Sequence, residues 1–311
     1  MLTEKTLRRL LWAMAQPRTF YVLGAGASYG LIPVTKDLRR IIKAEYHSIG
    51  VYPVTRASWS PLFERVIGEV SPYEDDLEEI LLTHMPHEAL EFLAQRALWR
   101  PSSDVVPPQY AVFEFVPAPA TLFNFNLDGL ASLHCSHRHV VLEPHGRVDV
   151  PWLEHEDYRE LLEGAVVYEV RVPHLTPKLL PGPEPEDITL GPSYTEAQRL
   201  IRRARAMIIL GYSFGQRGTT FDDTQSFEFL AALLKNHHCP VLVISTTPAE
   251  LTERLRDRLS TYDVHSIPLR WELFSGLLLA SINPVEGISP HWCAKRLRSL
   301  VYAYERGLDA M

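Results

Sequence analysis

Four short runs in this 311-residue chain combine residue types that can hold a phosphate, grip a polar ligand or take a proton. Gly24-Ala25-Gly26-Ala27-Ser28 follows the apolar stretch 19–23 and precedes a helical one. In a strand-to-helix turn, glycines let the backbone approach a phosphate, and the exposed amides and helix N-terminus supply positive potential. Asn126-Leu127-Asp128 follows apolar residues 120–125, Pro144-His145-Gly146 follows 140–142, and Gly211-Tyr212-Ser213 follows 207–210. Asn126 and Asp128 bring an amide and a carboxylate to one strand end. His145 brings an imidazole, whose unperturbed pKa of about 6.5 suits a base near neutral pH.

Each run also has a plainer reading. The glycine turn serves equally as a tight connection without a ligand. Its spacing, Gly24-x-Gly26-x-x-x-Gly30, departs from the dehydrogenase G-x-G-x-x-G, and no acidic residue closes a second strand about 20 residues on. Asn126 and Asp128 suit a helix N-cap pair, and His145 suits a satisfied core histidine. His134, Cys135, His137 and His139 crowd together, with His137 and His139 on one side of an extended chain, a grouping of the residue types that bind metal. Arg199, Arg202, Arg203 and Arg205 read first as a solvated helix face, and His237-His238 as cations at a helix end.

The elements that position these residues follow from apolar patterning. Residues 3–15 carry Leu7, Leu10, Leu11 and Met14 at helical spacing. Strands are expected at 19–23, 120–125, 140–142, 207–210 and 241–244. Helices are expected at 194–205, 222–236, 248–259 and 290–306. Fully apolar strands alternating with helices predict an α/β fold, a Rossmann-like parallel sheet covered by helices on both faces. Segments near 59–70 and 74–98 read as helices of an inserted lobe, about 35–118. Five prolines make 101–119 a connection, and six prolines with two glycines make 173–192 a loop or lid. One domain spanning 1–311 suits this length.

The chain is 46% hydrophobic with net charge −7, which argues against generic nucleic-acid binding. Cys135, Cys239 and Cys293 are isolated and imply no disulfide framework. With no charged-then-apolar leader and no apolar run of membrane-spanning length, a cytoplasmic protein is expected.

Taken in order, the motifs carry a family resemblance. Asn124-Phe125-Asn126-Leu127-Asp128-Gly129-Leu130 resembles the sirtuin segment T-Q-N-I-D-G-L, and Glu143-Pro144-His145-Gly146 the sirtuin E-x-H-G. Leu210-Gly211-Tyr212-Ser213-Phe214 resembles the sirtuin G-T-S-L, and more closely the G-Y-S-L of bacterial sirtuin-like defence proteins. Pro33 stands in the place of the family's I-P. The resemblance covers roughly 19–33, 119–150 and 195–270. It implies NAD as substrate, with Gly24, Ala25, Gly26 and Ser28 at the pyrophosphate and adjoining ribose. It puts Asn126 beside the nicotinamide ribose, Asp128 on the carboxamide, and His145 as the catalytic histidine. Gly211 and Ser213 fall on the phosphate and adenosine side, with Ser245 or Thr246 near the adenine ribose. Asn124 and Phe125 replace the family's threonine and glutamine. The resemblance implies no metal in the stretch that holds His134, Cys135, His137 and His139.

Sirtuin deacylases carry a zinc module with two C-x-x-C pairs. Three cysteines and no C-x-x-C exclude that module by counting, so no zinc is expected. Zinc-free relatives imply an NAD glycohydrolase of antiphage defence, releasing nicotinamide and ADP-ribose. The alternatives are a non-catalytic NAD or ADP-ribose sensor, or a zinc-free deacylase or ADP-ribosyltransferase. Cleaving the nicotinamide–ribose bond makes an oxocarbenium-like centre, as in glycoside hydrolysis. Asp128 suits the leaving nicotinamide, Asn126 a ribose hydroxyl or the attacking water, and His145 the proton. A resting state is needed to spare the cell's NAD, so a homo-oligomer is expected, with a HerA-like ATPase or short Argonaute as the expected partner.

Overall fold

The computed structural model describes residues 2–31, 106–126, 128–144, 192–215, 223–259 and 263–309. His145, most of the helical lobe expected over 35–118, and nearly all of the loop expected over 173–192 lie outside the described residues.

Helix α1 (Glu4–Met14) starts where Thr3 and Thr6 bond reciprocally in a capping box, and buries Leu7, Leu10, Leu11 and Met14. Six strands follow in chain order: β1 (Phe20–Leu23), β2 (Thr121–Asn124), β3 (Val140–Leu142), β4 (Met207–Leu210), β5 (Val241–Ser245) and β6 (Val264–Pro268). Between and after them run α2 (Pro108–Ala111), α3 (Leu130–Cys135), α4 (Pro192–Ile201), α5 (Thr224–Asn236), α6 (Ala249–Leu259), α7 (Trp271–Ser281) and α8 (Pro290–Asp309).

All strands pair in parallel, in the order β3-β2-β1-β4-β5-β6. This is the doubly wound order of dinucleotide-binding sheets. Parallel strands need crossovers, which cover both faces with helices, so the central strands are buried on both sides. Tyr21, Leu23, Leu122, Ile208, Leu210, Leu242 and Ile244 join one core with α1, α3, α7 and α8. Their alternates Phe20, Val22, Phe123, Met207, Ile209, Val241 and Val243 join another with α4, α5 and α6. Each fully buried aliphatic contributes roughly 1.5–3 kcal/mol relative to exposure.

Two elements go beyond the apolar pattern. β6 reads Val-His-Ser-Ile-Pro and pairs only with β5, so as an edge strand it needs no continuous apolar run. α7 is apolar on nearly every side and therefore shows no stripe. The proline-broken stretch 101–119 also holds more than a connection: α2 and the 3-10 turn Val112–Phe115 bury Tyr110, Val112 and Phe113. No helix among the described residues is long and apolar enough to cross a membrane.

Candidate functional site

β1 leads by way of the chain to β2 and β3 on one side of the sheet, while β4 leads to β5 and β6 on the other. In open parallel sheets, ligands bind outside the carboxyl ends of the strands at such a switch point. Here two glycine turns meet. The Gly24 amide donates to Leu210 O at 3.0 Å and the Gly26 amide to Gly211 O at 2.9 Å. A Cβ on Gly26 would lie 2.7 Å from Gly211 Cα, and one on Gly211, whose φ is +61°, 2.4 Å from Gly26 Cα. A Cβ on Gly24 would strike the Tyr212 side chain at 2.4 Å. The glycines are therefore required by a backbone seam between the turns, in addition to any ligand.

On the β4–β6 side of that seam lies a cavity of about 810 Å³, bordered by Gly26, Gly211, Ser213, Ser245, Thr246 and Arg254, among others. Its size suits a drug- or nucleotide-sized ligand, for which about 300–1,000 Å³ is usual. Five sequence-predicted residues are thus brought together: Gly26, Gly211, Ser213, Ser245 and Thr246. Ser213 Oγ accepts from the Gly215 amide at 3.4 Å and Ser245 Oγ from the Thr247 amide at 3.1 Å. Both hydroxyls keep their protons for a ligand.

On the β2 side the other predicted residues form a separate, buried polar cluster. Ser28 Oγ donates to Asp128 Oδ2 at 2.6 Å and lies 2.6 Å from the Tyr110 hydroxyl. Asn126 Nδ2 donates to Gly24 O at 2.9 Å and to Ser28 Oγ at 3.2 Å. Asn124 and Asn126 exchange side chain–backbone bonds at 3.2 Å, which holds the chain in a tight turn as it leaves β2. Ser28 and Asn124 are fully buried, Asp128 is 1% and Asn126 7% exposed. Asp128 Oδ1 accepts the Leu130 amide at 2.8 Å, the first N–H of α3, from the position before Gly129; Gly129, and not Asn126 or Asp128, is the N-cap residue. Burial, with the Asp128 charge next in size, holds the Tyr110 hydroxyl well above its ordinary pKa. Gly24 meets the cluster through its carbonyl, and Ala25 opens the 3-10 turn Ala25–Ala27 that follows it.

Three residues that sequence reasoning passed over shape the site. Tyr110 sits in the proline-broken stretch, where no periodicity marks it. Arg254, on the second turn of α6, donates through one guanidinium nitrogen to Ser213 O and Gly215 O, both at 3.1 Å, and lies 4.6 Å from the Phe227 ring centroid. Tyr212 stacks on Phe125 with ring centroids 4.4 Å apart and donates to Asp223. Phe125, in the place of the family glutamine, thus turns into the aromatic core instead of toward a ligand.

The histidine run is taken up by the fold. His139 Nδ1 accepts the Ala120 amide at 3.1 Å and Nε2 donates to Phe113 O at 2.9 Å, so both ring nitrogens are committed and the ring is neutral. His137 pairs with Glu114 at 2.7 Å on the surface. The Cys135 thiol is buried, which pushes its pKa up to about 12. Among the described residues no group of three or more candidate ligands could hold a metal ion. Arg199 pairs with Glu196 on an exposed helix face.

No protein-family model matches the chain, and no curated protein does. One solved structure similar to it is described as "Structural Basis for the Mechanism and Regulation of Sir2 Enzymes". It shares 17% identity at a TM-score of 0.46, over 96% of this chain and 100% of that one. A likeness at that level carries no argument about activity.

Proposed function

We propose that this protein is an NAD glycohydrolase that releases nicotinamide and ADP-ribose. One observation carries the proposal: at the switch point, the Asn126 amide is bonded to the carbonyl of Gly24. That bond places the Asn126–Asp128 pair directly behind the turn at which a dinucleotide's phosphates would lie. The cavity would take the adenosine end, with Ser213, Ser245 and Thr246 as hydroxyl donors and Arg254 as the cation. The cluster would meet the nicotinamide ribose, where positive charge grows at the anomeric carbon as the bond breaks. Asp128 supplies negative charge there and a partner for the carboxamide; His145 is proposed as the base.

A second reading has an observation of its own. Both Asp128 oxygens accept from protein donors, as they would in a binder of NAD or ADP-ribose that does no chemistry. Incubation of the full chain with NAD, without acylated peptide, separates the readings: the first expects nicotinamide and ADP-ribose, the second intact NAD and saturable binding.

The proposed role is abortive infection in antiphage defence, with a homo-oligomer of low resting activity raised by a HerA-like ATPase, a short Argonaute or another trigger. Unrestrained cleavage would drain the cell's own NAD, which is the reason for expecting control by assembly. Light scattering with NAD turnover over a concentration series tests this. A fully active monomer at every concentration would refute it.

A further inference from the structure

We infer that Tyr110 is a positioning residue, which fixes the orientation of both Asn126 and Asp128 by way of Ser28. The inference rests on the NAD-cleaving reading of that pair, and follows from counting protons at one hydroxyl.

Ser28 Oγ has one proton to donate and two lone pairs to accept with. The proton goes to Asp128 Oδ2, at 2.6 Å. One lone pair takes the Asn126 amide, at 3.2 Å. The remaining neighbour, Tyr110 Oη at 2.6 Å, must then be a donor. Burial keeps the phenol protonated, in keeping with that role. With all three places filled, Ser28 has nothing left for a phosphate; it is the hub of the cluster.

The consequences reach both partners. Asn126 spends one amide hydrogen on Ser28 and the other on Gly24 O, so its nitrogen faces inward and its Oδ1 is the atom left to meet a ligand. Asn126 therefore acts as an acceptor, and the group it orients, water or ribose hydroxyl, must be a donor. Asp128 keeps Oδ2 on Ser28 and Oδ1 on the Leu130 amide, which fixes its plane. Hydrogen bonds in such a chain polarise one another, so the Tyr110 donor strengthens the Ser28–Asp128 bond. Tyr110 is itself anchored. Its neighbour Gln109 accepts from Trp271 Nε1 at 3.2 Å and donates to Tyr29 O at 3.1 Å, which ties α2 to the start of α7 and to the glycine turn.

Full-length wild type and Tyr110→Phe are compared by NAD turnover, ADP-ribose calorimetry and thermal melting. Phenylalanine keeps the ring and removes only the donor. The kcat should fall by up to about a hundredfold, the scale on which misplaced groups lose rate. KM for NAD and the Kd for ADP-ribose should stay at wild-type values. Ser28→Ala should reproduce the loss, and combining the two substitutions should add little, because they act in one chain. An unchanged kcat overturns the inference. So does a loss of ADP-ribose affinity in step with kcat, the mark of a merely structural residue. If the wild type neither binds ADP-ribose nor cleaves NAD, the enzyme reading fails on its own. Crystal structures of both proteins then decide: unmoved Asn126 and Asp128 side chains in Tyr110→Phe overturn the positioning role.

Discussion

Two polar regions flank one glycine seam, and they are built on opposite principles. In the β2-side cluster, Ser28, Asn124, Asn126 and Asp128 are buried, and the side-chain donors among them are spent on one another or on backbone. In the β4–β6 cavity, Ser213 and Thr246 are exposed, and Arg254 is held by carbonyls instead of a carboxylate. The first region is pre-organised and intolerant; the second is adaptable and open. Binding requires polar groups with capacity to spare, while chemistry requires groups that cannot turn away from the reacting atom. A dinucleotide lying across the seam would use both, its adenosine end in the adaptable half and its scissile end against the rigid half.

The largest effects should come from the seam, because both halves hang on it. Gly211→Ala puts a Cβ 2.4 Å from Gly26 Cα at a φ of +61°, so overpacking and left-handed strain act together. We expect a loss of roughly 3 kcal/mol, read by urea unfolding, with ADP-ribose binding lost as well. A variant of wild-type stability would mean that the turns do not pack as described. Next come two residues of the rigid half, Asn126 and Asp128, and with them the proposed base His145. Asn126→Ala, Asp128→Ala and His145→Ala should each lower NAD turnover at least about a hundredfold while ADP-ribose still binds. Equal loss of binding and turnover would abolish the division between the halves.

Arg254→Ala probes the adaptable half alone. It frees the carbonyls of Ser213 and Gly215 and removes the cavity's carbonyl-held cation. ADP-ribose should bind about tenfold more weakly, about 1.4 kcal/mol, with kcat for NAD retained. A fall in kcat at unchanged affinity would reverse the assignment of the two halves.

The sheet was legible because its central strands are buried on both faces. Met207–Leu210 and Phe20–Leu23 stand out as apolar runs, and both lie where the pattern puts them. The glycine turns were legible for a related reason, since a backbone seam admits no side chain. β6 escaped notice because an edge strand tolerates His265, Ser266 and Pro268, and α7 because apolar residues on nearly every side leave no polar face for periodicity to detect. Within the site, motif spacing pointed to Asn126 and Asp128 but carried no information on what surrounds them. Tyr110 reaches Ser28 across 82 positions, and Arg254 reaches Ser213 across 41. Contacts that distant leave no local signature.

The smallest effect concerns His139, at the opposite end of β2 from the cluster. Both ring nitrogens are bonded to backbone in the neutral form. Burial is the main cause lowering its pKa below 6.5; the Phe113 carbonyl and Glu114 oppose the shift, while Arg138 and His137 add to it. The unfolded chain therefore takes up a proton as the pH falls through 6.5, whereas the folded chain waits for a lower pH. The stabilisation is complete above pH 6.5 and declines below it, with a slope of at most about 1.4 kcal/mol per pH unit. His265, also lowered chiefly by burial, adds a decline of the same sign. The diagnostic is thus a difference between two proteins. Glutamine at 139 offers one donor and one acceptor but does not titrate, so His139→Gln should unfold more easily at pH 7.5 yet lose less stability between pH 6.5 and 5.5. Urea midpoints across that range measure it. Parallel curves for the two proteins would mean that His139 takes up its proton as readily in the folded chain as in the unfolded one, and that the backbone bonds at this end of β2 are not those described.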